Sequence, residues 1–257
     1  MLIDSYQFLE PLGRGSFGDV WRVERNKGWA KGQMFAAKIS HEPADSGQVN
    51  HEMQATIRIL QEQHPHLLKL YIAEGFYERL LLLMELADGT ILDRWKQFFR
   101  SQTVFPLAEL LRQMLQAAQA LDHLHERGFI HGGINPDDIL LVNGEVKVAD
   151  PGPPLSSIRH DARVSTANLS KAMCMAPERR QGRDHIQSDQ YSLAATYVWL
   201  RAGEPGFGFD TQPEAIRSIK CFSEAECRVL MKAFSEEPDA RYPNCTQFVE
   251  ALTIEAT

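Results

Sequence analysis

The sequence predicts an α+β fold with two lobes, a strand-rich first part and a helix-rich second part that meet near residue 88. Up to "ADG" at 87–89, short apolar runs rich in aromatic and β-branched residues alternate with turns, which is typical of strands. Beyond it, apolar residues recur with a period of about 3.6, which is typical of amphipathic helices, and loops rich in Pro and Gly separate these segments.

The first part is predicted to contain five strands and one helix. The helix covers residues 49–63, where Met53, Ile57 and Leu60 lie at helical spacing. It ends at "HPH" (64–66), because the residue before a proline is disfavoured in the helical region. The strands are predicted over residues 6–12, 19–24, 33–39, 68–73 and 80–86. Four helices are predicted in the second part, over residues 107–127, 189–202, 223–235 and 245–254.

Composition is that of an ordinary soluble globular protein, because 44% of the residues are hydrophobic and 24% are charged. A net charge of -7 argues against general nucleic-acid binding, which needs clustered Lys and Arg. The four cysteines form no Cys-x-x-Cys pair and lack a His at metal-ligand spacing, so free thiols are expected rather than a zinc site. No apolar run is long enough to span a bilayer, and the expected location is the cytoplasm.

A glycine-rich segment, "GRGSFGDV" at 13–20, fits the pattern G-x-G-x-x-G-x-V. Missing side chains in such a segment let backbone N–H groups close over phosphates. A dinucleotide-binding fold would need these glycines to open a helix, but here "DVWRVE" continues as a strand. A simple hairpin turn without a ligand is the alternative interpretation.

Lys38 lies in the middle of the apolar segment "FAAKI", where a lysine is costly unless it is paired. Glu52 and Glu62 of the following predicted helix are candidate partners, and Glu52 is favoured because it shares a face with the apolar residues that dock the helix. The alternative is a lysine that reaches solvent from the edge of a sheet.

At these residues the chain resembles the protein kinase family, from about Tyr6 to Leu252. The segments that carry the resemblance are "GRGSFGDV", "FAAKI", "HPHLLKLY", "MELADG", "LDHLHERGFIHGGINPDDILL", "VKVADPG", "MAPE", "SDQYSLAATYVWL" and "PDARYPNCTQFVEAL". It is strongest with the bacterial eukaryotic-like Ser/Thr kinases. It implies a single domain over residues 1–257, with an N-lobe at 1–86, a hinge at 85–89 and a C-lobe at 90–257.

The resemblance also implies that ATP is held between the lobes. Lys38 would reach the phosphates with Glu52 holding it, and Met84 would be the gatekeeper beside the adenine. Apolar packing explains the apolar members of this set equally well. The implied nucleotide-binding residues are Gly13, Gly15, Ser16 and Gly18 of the glycine-rich segment, Val20, Ala36 and Leu140 around the adenine, Lys38, Glu52, Met84, and the hinge residues Glu85 and Ala87.

The segment "HGGINPDD" at 131–138 departs from the family pattern His-Arg-Asp-x-Lys-Pro-x-x-Asn. Gly133 stands at the position of the Asp that receives the substrate proton, and Asn135 stands at the position of the Lys that neutralises the transferred phosphate. Gly132 replaces the Arg. General-base catalysis and electrostatic stabilisation each contribute about two or more orders of magnitude, so phosphotransfer is expected to be slow or absent.

Two carboxylates are implied at the metal end of this site. Asp150 matches the Asp of Asp-Phe-Gly, and Asp138 replaces the metal-binding Asn, so together they are candidate ligands for Mg2+. Turn formation is the alternative role of "PDD". The resemblance further implies a buried ion pair between Glu178 and Arg241, and an Asp189 that braces the loop at 131–138.

Three functions follow from these residues. The favoured one is a pseudokinase that binds ATP and Mg2+ and acts as a regulatory or scaffolding module for a protein partner, such as an active kinase or another signalling protein. A weak or unconventional Ser/Thr kinase is the second, with water or Asp138 in place of the usual base. The third is an interaction domain that needs no nucleotide.

Overall fold

The computed structural model describes residues 2–3, 5–15, 18–28, 30–43, 63–101, 103, 105–149, 166–203 and 216–256. The chain divides into two compact units. The first contains the strands up to Asp88, and the second contains the described chain from Leu169 onwards, residues 89–149, and His64–Leu67.

The first unit is built on one antiparallel sheet with the strand order β1-β2-β3-β4-β6-β5. All five predicted strands are confirmed, with ends that differ by a few residues. The strands are β1 (Leu2–Ile3), β2 (Tyr6–Arg14), β3 (Gly18–Arg25), β4 (Met34–Pro43), β5 (Leu70–Phe76) and β6 (Arg79–Met84). The helix predicted over residues 49–63 lies outside the described residues except for its last position.

The two faces of this sheet carry different side chains because successive residues of a strand point to opposite sides. On one face, Phe35 and Ala37 of β4 pack with Val23, Leu81 and Leu83 in an apolar core. The intervening residues of β4 therefore point to the other face, which carries part of the predicted site.

The second unit is mainly helical. The four predicted helices are confirmed, and the helix at 91–100 was not predicted although Thr90 and Asp93 form a capping box at its start. The helices are α1 (Ile91–Arg100), α2 (Leu107–His125), α3 (Thr166–Cys174), α4 (Pro177–Arg180), α5 (Gln187–Ala202), α6 (Glu224–Ala233) and α7 (Cys245–Ala256). The apolar faces of α2, α5 and α7 supply most of the core.

A small three-stranded sheet in the second unit was also not predicted. It consists of β7 (Gly89–Thr90), β8 (Ile139–Val142) and β9 (Glu145–Val148). Asn143 and Gly144 connect β8 to β9 with φ angles of 52° and 80°. Asn-Gly is the preferred sequence for such a two-residue turn, so "ILLVNGEVKV" contains a usable hairpin signal.

The described helices include none with both the length and the apolar character needed to cross a membrane. All four cysteine thiols are free, as expected.

Candidate functional site

The glycine-rich segment connects β2 to β3. Gly13 pairs with Val20, and the N–H of Gly15 donates to the carbonyl of Gly18 over 2.9 Å. A Cβ on Gly18 would lie 2.6 Å from the carbonyl carbon of Ile39, and closer still to its oxygen. Gly18 is therefore required for the close approach of β3 to β4, whereas a Cβ on Gly13 would have nothing within 4 Å. Ser16 lies outside the described residues.

Replacement of Gly18 by Ala is expected to lower the free energy of unfolding by about 1 to 3 kcal/mol, because the added methyl group overlaps β4. Urea unfolding of the purified protein measures this change. Gly13→Ala is the matched control and is expected to change stability by no more than about 0.5 kcal/mol. Equal stabilities for the two variants would contradict the packing role of Gly18.

Lys38 is buried, with 4% of its surface exposed, on a central strand of the first unit. It lies opposite Val20 of β3 and Leu82 of β6, so the alternative of a lysine at a sheet edge is wrong. The predicted pairing with Glu52, or with Glu62, concerns residues outside the described part of the chain.

Four of the predicted nucleotide-binding residues share one face of the sheet in the first unit. Lys38 and Ala36 are two residues apart on β4 and therefore point the same way. Val20 is paired directly with Lys38, and Met84 is paired directly with Ala36, so they lie on that same face. The sheet thus places one buried cation beside small and apolar side chains.

The contacts of Glu85 limit which backbone groups of the predicted hinge could bind an adenine. Its N–H donates to the carbonyl of Lys69 over 2.9 Å, and its carboxylate accepts from the N–H of Lys69 over 2.6 Å. The N–H of Glu85 is therefore already used, and backbone contacts to an adenine would have to come from the other groups of residues 85–87, including the N–H of Ala87.

In the second unit, the loop that precedes β8 is held by Asp189 of α5. The Asp189 carboxylate accepts from the N–H of His131 over 2.7 Å and from the N–H of Gly132 over 2.6 Å, and it lies 2.8 Å from Nε2 of His125. This confirms the bracing role predicted for Asp189. Burial acts to raise the pKa of this carboxyl, but the hydrogen bonds and the His125 ring outweigh it and hold the pKa below its usual value.

Gly132 and Gly133 have φ angles of 80° and 133°, which disfavour any residue with a side chain. A Cβ on Gly132 would lie 2.5 Å from Cζ of Arg179, so the guanidinium of Arg179 covers this glycine. A Cβ on Gly133 would lie 3.4 Å from both Cγ and Cε of Lys171. Neither Lys171 nor Arg179 was singled out from the sequence for a role at these glycines.

Asn135 shapes the turn that follows. Its Oδ1 accepts from the N–H of Asp137 over 3.0 Å, and its Nδ2 donates to the carboxylate of Asp138. The N–H of Asp138 donates to the carbonyl of Asn135 over 3.0 Å, so "PDD" forms a turn. The Asp138 carboxylate stays a predicted metal ligand, and its predicted companion Asp150 lies outside the described residues. Leu140 is half-buried on β8.

Glu178 and Arg241 form the predicted buried ion pair. The Arg241 guanidinium donates to both oxygens of Glu178, over 2.7 and 2.8 Å, and the Ser188 hydroxyl donates to one of them over 2.6 Å. Burial acts to raise the pKa of Glu178, but the hydrogen bonds from Arg241 and Ser188 lower it below its usual value. The pair fixes the start of α5, which carries Asp189.

A group with metal-ligand chemistry also lies in the second unit, at Asp122, His125 and Cys245, whose ligand atoms are within 4.8 Å of one another. The Asp122 carboxylate accepts from the N–H groups of Cys245 and Thr246 over 2.9 Å each, and so caps α7. His125 contacts Asp189, and burial raises the pKa of the Cys245 thiol. These contacts give the three residues structural roles. Cys245 is far from Asp122 and His125 in the sequence, so residue spacing alone did not indicate this group.

The antiparallel sheet of the first unit, its buried lysine, the helical second unit and the braced loop at 131–138 define a protein of the protein kinase fold. The chain matches the family model of the protein kinase domain over residues 6–256, and it belongs to this family.

Several known proteins are similar to this chain. Human ribosomal protein S6 kinase alpha-2 is 33% identical over 249 residues, covering 91% of this chain and 33% of that protein. The serine/threonine-protein kinase PknI of Mycobacterium tuberculosis is 26% identical over 262 residues, covering 98% of this chain and 42% of that protein. The crystal structure of the PknI kinase domain matches with a TM-score of 0.77 at 25% identity, covering 100% of this chain and 98% of the other. The chain thus spans less than half the length of these curated relatives.

Proposed function

We propose that this chain is a pseudokinase, a single kinase-fold module over residues 1–257 that binds ATP but transfers its phosphate poorly or not at all. One observation carries the proposal: the position of the proton-accepting Asp is occupied by Gly133, at a φ of 133° that disfavours a side chain, while Lys38 is kept and buried. The family generally uses ATP and Mg2+. At the positions that match the family motifs, this chain keeps more of the residues that bind the nucleotide than of those that transfer its phosphate.

The ATP part of the proposal is supported by the first unit. Lys38 provides a cation for the phosphates, and Val20, Ala36 and Met84 provide an apolar surface on the same face of the sheet for an adenine ring. The glycine-rich segment from Gly13 to Gly18 is the predicted source of backbone N–H groups for the phosphates.

Mg2+ fits the second unit through Asp138, whose carboxylate oxygens are the hard ligands that this ion prefers. Asp138 and Asp150 would hold the ion, which supplies positive charge to the phosphates when it is bound. Asn135 positions Asp138 through a hydrogen bond from its amide nitrogen.

The loss of transfer is supported by the contacts of Asn135. An amide carries no positive charge to offer a phosphate, and the hydrogen bonds of this one are used in the turn. Asp138, which the weak-kinase alternative needs as a base, is held by this same amide. With neither base nor cation from this loop, the module would act through a protein partner, such as an active kinase or another signalling protein, whose contacts change when nucleotide binds.

Lys38→Ala is expected to weaken ATP binding by about 30-fold, or about 2 kcal/mol, because it removes a charged hydrogen bond to phosphate. Titration with a fluorescent ATP analogue, with and without Mg2+, measures this change. Lys31→Ala, in the exposed turn between β3 and β4, is the matched control and is expected to bind like the unmodified protein. No nucleotide binding by the unmodified protein would favour the interaction-domain alternative.

Phosphotransfer is measured separately, with radiolabelled ATP and a generic protein substrate. The unmodified protein is expected to give the same signal as Lys38→Ala. Transfer that requires Lys38 would contradict the proposal and identify a weak kinase.

A further inference from the structure

Two basic side chains fill the space left by the glycines of the loop at 131–138. Arg179 of α4 covers Gly132, and Lys171 of α3 crosses Gly133. Both glycines are buried, and both basic residues come from the chain that precedes α5. Each glycine therefore leaves room for one basic side chain, Gly132 for Arg179 and Gly133 for Lys171.

Arg179 acts as a packing residue. Only 4% of its surface is exposed, and its guanidinium forms an ion pair with Asp184. Its charge is therefore largely compensated within the second unit. The guanidinium packs against the backbone of the loop at Gly132. The N–H of this glycine donates to the Asp189 carboxylate.

Lys171 differs from Arg179 because no carboxylate pairs with its ammonium in the part of the chain that the structure describes. Its Cγ and Cε are both 3.4 Å from the Cβ position of Gly133, so the aliphatic stem runs alongside this glycine. No salt bridge joins its ammonium to a carboxylate among the residues that the structure describes. Lys171 is half-buried, and its stem directs a positive charge to the loop at the position where Gly133 leaves space. An anion at this position would pair with that charge.

We propose that Lys171 is a phosphate-binding residue of the second unit and supplies the positive charge that Asn135 lacks. Its ligand is the polyphosphate of a nucleoside triphosphate, and this identification of the ligand rests on the function proposed above. Lysine is a common phosphate ligand because its ammonium is a compact charge with three donors.

The contact between Lys171 and Gly133 gives a physical reason why this protein would bind a nucleotide without transferring its phosphate. An ammonium donates hydrogen bonds and has no lone pair with which to accept the proton of a substrate hydroxyl. A lysine beside Gly133 therefore stabilises a phosphate without replacing the missing base. Lys171 and Gly133 together favour holding a nucleotide over consuming it.

The test replaces Lys171 by Met, which keeps an unbranched stem beside Gly133 and removes the charge. ATP and inorganic tripolyphosphate are each expected to bind about 10-fold more weakly, because one charged hydrogen bond is lost. Adenosine, which has no phosphate, is expected to bind equally well to both proteins. Isothermal titration calorimetry measures all three ligands.

Three further variants complete the experiment. Lys171→Arg keeps the charge and is expected to retain binding of ATP and tripolyphosphate. Lys171→Gln is a second neutral variant that is expected to repeat the loss, in case Met disturbs the fold as judged by thermal melting. Lys96→Met removes an exposed lysine from α1 and controls for general electrostatics.

The outcomes separate this inference from the proposed function. Unchanged ATP and tripolyphosphate binding in both neutral variants would overturn the role of Lys171, as would an equal loss in Lys96→Met. If the unmodified protein binds neither ATP nor adenosine, the proposed function fails. In that case tripolyphosphate decides: binding that is lost in Lys171→Met supports the phosphate site, and no binding overturns it.

Discussion

Replacement of Arg241 by Met is expected to lower the free energy of unfolding by about 3 to 5 kcal/mol, because it leaves the Glu178 carboxylate buried without its cation. Both oxygens of Glu178 lose a donor, although the Ser188 hydroxyl continues to donate to one of them. The carbonyls of Ser235 and Gln187 also lose the donors that Arg241 supplies, over 2.9 and 3.1 Å. Urea unfolding followed by far-ultraviolet circular dichroism measures the change.

Two controls test the cause of this loss. Arg112→Met removes one member of an exposed ion pair with Glu145 and is expected to cost less than about 1 kcal/mol. Adding Glu178→Leu to Arg241→Met is expected to restore part of the stability, because no uncompensated charge then remains buried. A double variant less stable than Arg241→Met would show that lost packing dominates.

Much of the fold could be predicted because its elements carry local signals. Alternating apolar residues predict the strands of the first unit, and apolar stripes predict α2 and α5 to α7. The β8–β9 hairpin was missed because its strands have four residues each, although "NG" stands between them. Helix α1 was missed because it begins directly after the predicted hinge at 85–89, and its main local signal is the capping box of Thr90 and Asp93.

In the candidate site, some residues were predicted from the sequence and others were not. Asp189, Glu178 and Arg241 were predicted because each stands in a segment that resembles the family, and the structure confirms their contacts. Lys171 and Arg179 were missed because a glycine shows which side chain is absent and gives no sign of what fills the space. Only the tertiary structure brings α3 and α4 against the loop at 131–138.

Replacement of Asp189 by Asn is expected to lower the free energy of unfolding at neutral pH by about 3 kcal/mol. The two carboxylate oxygens of Asp189 now accept from the N–H groups of His131 and Gly132. An amide has only one acceptor oxygen, so in the variant its NH2 group must face one of these two donors. The loop at 131–138 loses part of its anchor to α5.

Acid unfolding gives this prediction a second measurement. The pKa of Asp189 is held below its usual value of about 3.9, so the folded protein keeps this carboxylate ionised at a pH where the unfolded chain protonates it. Its contribution to stability is present above about pH 4 and is lost as the pH falls further. Asp189→Asn removes this group from the titration, so its stability should fall less steeply between about pH 5 and pH 3 than that of the unmodified protein.

The exposed Asp239 provides the control for both measurements. Asp239→Asn should change stability by no more than about 0.5 kcal/mol and keep the acid dependence of the unmodified protein. Glu178 also has a lowered pKa and titrates in the same direction, so some acid sensitivity should survive in Asp189→Asn. An acid slope that does not change in Asp189→Asn would mean that this carboxylate contributes nothing to the pH dependence, against the contacts it makes with His125, His131 and Gly132.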